Sequence, residues 1–339
     1  MQNHQNTLEQ WLQITLQQSN VHVIPLTGDA SFRKYYRIHL GEKSYIVMDA
    51  PPAQEPLAPF LAVQKLLESH QICVPTIYAV DEQQGFALLE DFGDTLLFNL
   101  LKTSHATPQQ AEKYYHAALD QLNQLQTCHE QAPFPLAPFD ANFIASELSH
   151  FKHWFLEKYL QLQLTAAEHK LIDDSCQKIT QRILEQPSVF IHRDYHSRNI
   201  MLLKEGGLGI IDFQDAMLGP FTYDAVSLLK DCYLQWPTTY VTQWLQYFYN
   251  LSPYKQQCSF NEFHDAFDYC GLQRHLKVLG IFARLYLRDN KPQYLQDLPL
   301  TRQYVMACLE SYPEHHALYE FMDTRGQLPD ENSDSSSRR

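Results

Sequence analysis

The sequence predicts an α+β fold of two parts, a small N-terminal part rich in β-strands and a larger, mostly helical C-terminal part. Three observations support this prediction. Short apolar runs with strand-like composition occupy the chain up to Gly93. From Leu96 onward, apolar residues recur mainly at helical spacing. Two short apolar runs around residues 204–207 interrupt that helical pattern and predict a β-hairpin.

The N-terminal part, residues 1–93, opens with an amphipathic helix, because Leu8, Trp11, Leu12 and Leu16 lie on one helical face. Five strand-like runs follow, with one helix-like segment between the third and the fourth. The strand-like runs are 21–26, 35–39, 45–48, 76–80 and 86–90, and the helix-like segment is 57–69.

The C-terminal part, residues 94–324, contains long stretches of helical periodicity. The tail at 325–339 ends in a run of Asp, Ser and Arg, and this polar composition predicts disorder. The predicted long helices are 108–129, 142–161, 166–185 and 261–288.

Composition narrows the class of protein. A net charge of −13 argues against general binding to nucleic acid or to anionic membranes. The seven cysteines are scattered without a Cys-x-x-Cys pair, which fits a reducing compartment better than a disulfide framework or a zinc site. No signal pattern is present and no apolar run approaches the roughly 20 residues of a membrane span. We therefore expect a cytoplasmic protein.

The hairpin places polar residues where they can act together. If its register is centred on Glu205 and Gly206, Asn199 lies opposite Asp212, and directly opposed residues have Cβ atoms roughly 5 Å apart. An amide oxygen and a carboxylate at that separation can ligate Mg²⁺, which prefers oxygen donors. Asp194 lies in the loop just before the hairpin, where it can reach a substrate hydroxyl.

The spacing His192-x-Asp194-x-His196-x-x-Asn199, followed by Asp212-Phe, resembles the catalytic loop and metal-binding strand of the protein-kinase-like two-lobed fold. His196 is typical of the small-molecule branch, the aminoglycoside phosphotransferase and choline kinase group. The chain is most similar to the bacterial cell-wall sugar kinases that phosphorylate the anomeric hydroxyl of N-acetylmuramate and N-acetylglucosamine. The similar blocks are 45–52, 88–93, 192–199, 211–216, 219–220, 222–224, 229–233 and 273–277.

The resemblance implies a role for each residue of this loop. Asp194 would orient the attacking hydroxyl and accept its proton, and Asn199 and Asp212 would bind Mg²⁺. His192 would brace the metal-binding segment. Asp224 opens an apolar helical run, so helix N-capping is the first interpretation, and the family adds a brace on the catalytic-loop backbone.

The sequence matches a kinase less closely at the ATP site than at the catalytic loop. The loop at 27–33 lies where a kinase has its phosphate loop, but it contains only one glycine. Ser31 and Arg33 are the candidate phosphate contacts. Met48 stands where a kinase places the lysine of its third strand, so Arg33 is our choice of substitute, with Lys34 and Arg37 left open.

Two further segments bear on the nucleotide and on the kind of substrate. Residues 88–92 match an inter-lobe hinge, in which the backbone groups of Glu90 and Phe92 would meet adenine. Only eleven residues separate Asp212 from Asp224, which is too short for an activation loop and a peptide platform. A small-molecule substrate is therefore favoured over a protein.

The substrate itself is predicted mainly from the resemblance, with His196, Asp215 and Arg274 as the candidate contacts. The lactyl carboxylate of muramate requires a cation, and Arg274, His275 or Lys277 could provide it. Cationic aminoglycosides would instead require carboxylates, for which Glu262, Asp265 and Asp268 are available at helical spacing.

These residues together predict an ATP- and Mg²⁺-dependent kinase acting on the anomeric hydroxyl of N-acetylmuramate or N-acetylglucosamine, in peptidoglycan recycling. Two alternatives stay open at this point. One is an aminoglycoside, choline-like or amino-alcohol kinase on the same fold. The other is a nucleotide-binding pseudokinase regulator, suggested by the missing strand lysine.

Overall fold

The computed structural model describes residues 2–26, 32–103, 105–128 and 136–329, with side chains from residue 7 onward. The predicted α+β division is confirmed. The N-terminal lobe contains a five-stranded antiparallel sheet of order β1-β2-β3-β5-β4, flanked by two helices. Its elements are α1 (Gln2–Leu16), β1 (Ile24–Leu26), β2 (Lys34–Leu40), β3 (Lys43–Asp49), α2 (Leu57–Ser69), β4 (Ile77–Asp81) and β5 (Phe86–Glu90).

The two helices of this lobe cover opposite faces of the sheet. Successive residues of a strand point to opposite faces, so neighbouring residues pack against different helices. Trp11 of α1 shares a buried cluster with Val47 and Leu88. Met48 and Leu89, the next residues along the same strands, belong instead to the larger core that contains α2 and the helical lobe. Met48 is thus a core residue of the sheet.

The C-terminal lobe is built around α9, which packs against α5, α6, α7 and α10. The predicted helix at 142–161 is divided, since α5 continues as a π-helical segment at Phe151–Tyr159. At this junction a Cβ on Gly280 would lie 2.2 Å from the carbonyl carbon of His150, so only glycine allows α9 to approach. The helices are α3 (Leu97–Thr103), α4 (Pro108–Leu125), α5 (Ala141–His150), α6 (Ala166–Leu184), α7 (Tyr223–Leu229), α8 (Thr238–Leu251), α9 (Phe260–Leu287), α10 (Leu298–Ser311) and α11 (His316–Thr324).

Two short antiparallel pairs of strands position the loop at residues 192–199 between the lobes. Strand β6 (Ser188–Ile191) pairs with β9 (Met217–Pro220), and β7 (Ile200–Leu202) pairs with β8 (Leu208–Ile210). The second pair is tied to the N-terminal lobe by a hydrogen bond of 2.9 Å from the Ile210 amide to the Cys73 carbonyl oxygen.

Packing continues beyond residue 324, where the helical lobe was predicted to end. Arg325 pairs with the carboxylate of Glu168, and Leu328 packs against the main core. Residues 330–339 lie outside the described part. In the ranges that the structure describes, no helix combines the length and apolarity of a bilayer span. The seven cysteines are free thiols.

Candidate active site

The catalytic loop, residues 192–199, follows β6 and ends where β7 begins. His192 is fully buried at its base. Its Nδ1 lies 3.3 Å from the amide nitrogen of Asp194 and its Nε2 lies 3.1 Å from the carbonyl oxygen of Ile211. Burial lowers the pKa of His192 to about 4, so the neutral ring accepts at Nδ1 and donates from Nε2. The ring therefore joins the loop to the strand that precedes Asp212, which agrees with the predicted bracing role.

A second brace comes from Asp224 in the first turn of α7. Its carboxylate accepts hydrogen bonds from the amides of His192 (2.6 Å) and Arg193 (3.0 Å). The N-cap residue of α7 is Thr222, so the N-cap interpretation of Asp224 is wrong and the backbone brace is observed. Burial raises the pKa of Asp224 to about 7, although the two amides favour the ionised form.

The carboxylate of Asp194 is open to the site, with 45% of its side chain exposed. Its Oδ1 lies 3.5 Å from Nη2 of Arg274, whose Nη1 also donates to the carbonyl oxygen of Arg193 at 2.7 Å. Burial raises the pKa of Asp194, but Arg274, Lys277 and His196 outweigh it and hold that pKa below its usual range. Asp194 is therefore ionised at neutral pH and can accept a hydrogen bond from a hydroxyl.

The basic residues that were predicted for a lactyl carboxylate are not a solvated face. Arg274, His275 and Lys277 are all buried. Arg274 contacts Asp194, His275 lies 2.9 Å from a backbone carbonyl oxygen, and Lys277 donates to Glu147 at 3.2 Å. The structure thus places Arg274 in the site, but as a partner of the Asp194 carboxylate.

The acidic residues considered for a cationic substrate are engaged as well. Glu262 closes the capping box at the start of α9, and Asp265 accepts a hydrogen bond from a tyrosine hydroxyl at 2.8 Å. Asp268 pairs with Lys230 at 2.7 Å. None of these contacts leaves a carboxylate cluster facing the catalytic loop.

The hairpin after the loop has a different register from the predicted one. Ile200 pairs with Ile210, and the turn is centred on Glu205. The connection at 203–207 therefore holds an odd number of residues and the pairing shifts by one, and Gly206 and Gly207 in this turn adopt positive φ of 92° and 89°. Asn199 consequently lies opposite Ile211, whose amide donates to the Asn199 carbonyl oxygen at 3.1 Å.

Asn199 and Asp212 nevertheless meet, because Asp212 takes a positive φ of 65°. This conformation costs a non-glycine residue roughly 1–2 kcal/mol and turns its carboxylate back towards the loop. Nδ2 of Asn199 lies 3.4 Å from Oδ2 of Asp212 and donates to the Asp194 carbonyl oxygen at 3.0 Å. The local backbone conformation, rather than strand register, brings the pair together.

The donor set fits Mg²⁺. Burial raises the pKa of Asp212, a hydrogen bond from Gln214 opposes this, and the nearby charge of Asp194 raises that pKa further, so a cation between the two carboxylates would be favoured. With Nδ2 of Asn199 bound to a carbonyl, its Oδ1 is the atom left for a cation. Within the described ranges, no group of three or more His, Cys, Asp or Glu side chains could hold a metal. A site with two protein ligands completed by phosphate oxygens and water suits Mg²⁺.

Arg33 lies on the side of the site that faces the N-terminal lobe. Its guanidinium pairs with Glu55 at 2.9 Å, just before α2, and only 8% of its side chain is exposed. Burial raises the pKa of Tyr35 to about 12, and the charge of Asp212 adds to this while that of Arg33 opposes it. Arg37 instead pairs with Asp91 at the hinge, at 2.7 Å. Both arginines thus have a carboxylate partner, and Arg33 as the substitute for the strand lysine stays a prediction.

The predicted hinge residues lie where β5 leaves the sheet. The carboxylate of Glu90 accepts two hydrogen bonds from Thr76, and its amide donates to the Thr76 carbonyl oxygen at 2.8 Å. The ring of Phe92 covers Gly209 of β8, where a Cβ would lie 2.5 Å away. The adenine contacts of Glu90 and Phe92 remain a prediction. Ser31 lies outside the described residues.

The remaining substrate candidates flank the catalytic carboxylate. His196 donates its backbone amide to the Asp194 carbonyl oxygen at 3.0 Å, and its ring contacts that of Tyr233 with centroids 5.5 Å apart. Burial lowers the pKa of His196, so its ring is neutral at pH 7. Asp215 is exposed, and its carbonyl oxygen accepts a hydrogen bond from Arg193 at 3.3 Å.

The phosphotransferase enzyme family model matches residues 22–256 of the chain. The chain belongs to this family. A relative from Pseudomonas aeruginosa named N-acetylmuramate/N-acetylglucosamine kinase is 39% identical over 306 residues, covering 88% of this chain and 87% of that protein. One with the same name from Neisseria meningitidis serogroup B is 34% identical over 325 residues, covering 93% and 94%.

Solved structures of other phosphotransferases share the fold. A choline kinase from Streptococcus pneumoniae superposes with a TM-score of 0.63 at 16% identity, covering 91% of this chain and all of that one. An ADP-bound aminoglycoside phosphotransferase superposes with a TM-score of 0.60 at 14% identity, covering 87% and 96%. The predicted protein-kinase-like two-lobed fold is therefore confirmed.

Sequence reasoning missed two buried carboxylates that support this phosphotransferase site. Asp231 accepts hydrogen bonds from the amide (3.1 Å) and the hydroxyl (2.5 Å) of Ser197, on the opposite side of the loop from Asp224. Glu147 of α5 pairs with Arg193 at 3.1 Å and with Lys277 at 3.2 Å. The position of Asp231 at the end of an apolar helical run could have predicted its role from the sequence. No local sequence feature distinguishes Glu147 from the other acidic residues.

Proposed function

We propose that this phosphotransferase is an ATP-dependent kinase that transfers the γ-phosphoryl group to the anomeric hydroxyl of N-acetylmuramate or N-acetylglucosamine, in peptidoglycan recycling. The observation that supports the reaction type is the meeting of an ionised, accessible Asp194 with Asn199 and Asp212. The substrate class is supported by the names of relatives that are 34–39% identical over most of the chain.

The chain's own residues suit this chemistry. Asp194 accepts a hydrogen bond from the anomeric hydroxyl and aims its oxygen at the γ-phosphorus. The new O–P bond forms as the bond from the γ-phosphorus to the bridging oxygen of ADP breaks, and the hydroxyl proton passes to Asp194. Because its pKa is held low, Asp194 is a weak base and contributes mostly by positioning. An anomeric hydroxyl suits a weak base because it is more acidic than an ordinary alcohol.

Charge on the phosphates is met from two sides. Mg²⁺ bound by Asn199 and Asp212 would neutralise charge on the ATP phosphates and on the transferred group. Arg33, positioned by Glu55, provides a planar cation on the side of the N-terminal lobe. These groups are aimed at charge that grows in the transition state, where electrostatic stabilisation contributes most.

The test is a panel of acceptors with ADP release as the readout. We expect turnover with N-acetylmuramate or N-acetylglucosamine, and little with choline, ethanolamine, an aminoglycoside or a peptide. The 1-O-methyl glycoside of N-acetylglucosamine is the matched control, because it lacks only the free anomeric hydroxyl. Phosphorus NMR of the product should show a glycosyl phosphate.

Turnover of the methyl glycoside, or a phosphate at another ring position, would refute the assignment to the anomeric hydroxyl. Turnover of only the cationic acceptors would refute the substrate class. Folded protein that binds Mg-ATP without phosphorylating any acceptor would instead support the pseudokinase alternative.

A further inference from the structure

Arg198, on the catalytic loop immediately before Asn199, lies against two aromatic rings. Its guanidinium carbon lies 3.6 Å from the ring centroid of Tyr233 and 4.6 Å from that of Phe98. The planes of these two rings are inclined at 75° to each other, so the guanidinium can stack on at most one of them, and the two contacts together restrict its orientation. The cation is preorganised before substrate arrives.

This cation has no anionic partner within the chain ranges that the structure describes. No carboxylate there lies within 4 Å of Arg198, and its Nε is buried without a hydrogen-bond partner. Asp231, a neighbouring acid, is committed to Ser197. Burial raises the pKa of Asp297 to about 6, and the charges of Arg198 and Lys102 both oppose this, but neither cation forms an ion pair with Asp297. A half-buried guanidinium without an ion pair is available to bind an anion from outside the chain.

The surroundings favour an acidic sugar as the source of that anion. The ring of Tyr233 contacts both Arg198 and His196, two residues of the loop that holds Asp194. A second cation, Lys102, lies 5.1 Å from the ring centroid of Phe98. Aromatic rings with a few polar groups are the usual lining of small-ligand sites.

We propose that Arg198, lying against Phe98 and Tyr233 and assisted by Lys102, binds the lactyl carboxylate of N-acetylmuramate and sets the preference between the two amino sugars. This inference rests on the proposed function. The lactyl ether is attached to a carbon separated from the anomeric carbon by a single ring atom, so one pose can present both groups. The carboxylate is also the one charge that N-acetylglucosamine lacks, and a guanidinium binds it through two parallel hydrogen bonds.

The experiment compares kcat/KM for the two sugars in the full-length protein. Arg198→Met removes the charge while keeping much of the apolar stem that packs on the rings. We expect kcat/KM for N-acetylmuramate to fall about 10- to 100-fold relative to that for N-acetylglucosamine. Arg198→Lys should recover part of the ratio, and Lys102→Met should lower it less. The methyl ester of N-acetylmuramate should respond to Arg198→Met as N-acetylglucosamine does, because its charge is gone.

Arg182→Met is the matched control, since Arg182 also lies over an aromatic ring, that of Tyr269, but on α6. It should leave the ratio unchanged. Equal losses for both sugars in Arg198→Met would overturn the inference and leave Arg198 a structural role. If Arg198→Met does not fold, an unchanged ratio in Arg198→Lys and Lys102→Met together overturns it. Wild-type protein that phosphorylates neither sugar would reject the proposed function, and this assignment with it.

Discussion

Arg274 of α9 reaches the catalytic carboxylate from a helix 80 residues further along the chain, and its removal should damage catalysis more than stability. We consider Arg274→Met, which keeps the apolar stem and removes the guanidinium. The atoms Nη2 of Arg274 and Oδ1 of Asp194 are 3.5 Å apart, and 45% of the Asp194 side chain is exposed.

The magnitude follows from that distance and that exposure. Coulomb's law at an effective dielectric constant of about 20 gives roughly 5 kcal/mol for unit charges at this separation. Solvent screening of the exposed carboxylate reduces this to roughly 1–2 kcal/mol. Because 1.4 kcal/mol corresponds to about tenfold in rate, kcat should fall about 5- to 30-fold if the lost energy appears in the positioning of Asp194.

The assay is steady-state ADP release with saturating Mg-ATP, repeated from pH 8 down to the lowest pH at which the protein stays folded. The guanidinium holds the pKa of Asp194 below its usual range, so its loss raises that pKa and moves the acid limb of kcat to higher pH. Arg274→Lys should keep the charge, lose the hydrogen bond to the Arg193 carbonyl oxygen, and give an intermediate kcat.

The control is Arg284→Met, ten residues further along α9. The guanidinium of Arg284 contacts the His150 ring at 3.1 Å rather than the active site. It should leave kcat near the wild-type value. The reasoning is refuted if Arg274→Met retains wild-type kcat with an unshifted acid limb, or if its kcat falls only in proportion to a loss of folded protein.

Further predictions follow from single residues of the site. Asp194→Ala should lower kcat about 100-fold or more while Mg-ATP binding persists, and retention of more than about a tenth of wild-type kcat would contradict its role. Asp212→Asn and Asn199→Ala should each weaken ATP binding in the presence of Mg²⁺ but not in its absence, as measured by calorimetry. Arg33→Ala should raise KM for ATP and lower kcat, with partial recovery in Arg33→Lys; unchanged ATP kinetics would exclude it as the lysine substitute. Burial lowers the pKa of His275 to about 3, so the unfolded chain binds a proton at this residue before the folded protein does as the pH falls below about 6.5. Acidification to pH 5 should therefore lower the free energy of unfolding by about 2 kcal/mol through this residue. His275→Gln should flatten this pH dependence in urea titrations.

The sequence by itself determined the local structure and the reaction chemistry. The predicted segment at 57–69 is helix α2 over the same residues, and the long predicted helices begin within a residue of the observed ones. These limits are encoded locally, since capping boxes at Thr107, Thr165 and Ser259 begin three of them. The loop that contains Asp194 and Asn199 was likewise recognisable from its spacing alone.

The tertiary structure decided the contacts between distant residues. Asn199 and Asp212 meet through the positive φ of Asp212 and not through the predicted register, because the turn at 203–207 holds an odd number of residues. Arg274, which appears in the sequence as one of several basic residues on a helix, is placed at Asp194 by the packing of α9. A periodic pattern specifies which face of a helix is buried, but not which buried partner a charged side chain meets. The partner of a buried charge depends on how whole helices and strands pack. A specific pair of opposite charges is therefore fixed only by the tertiary structure.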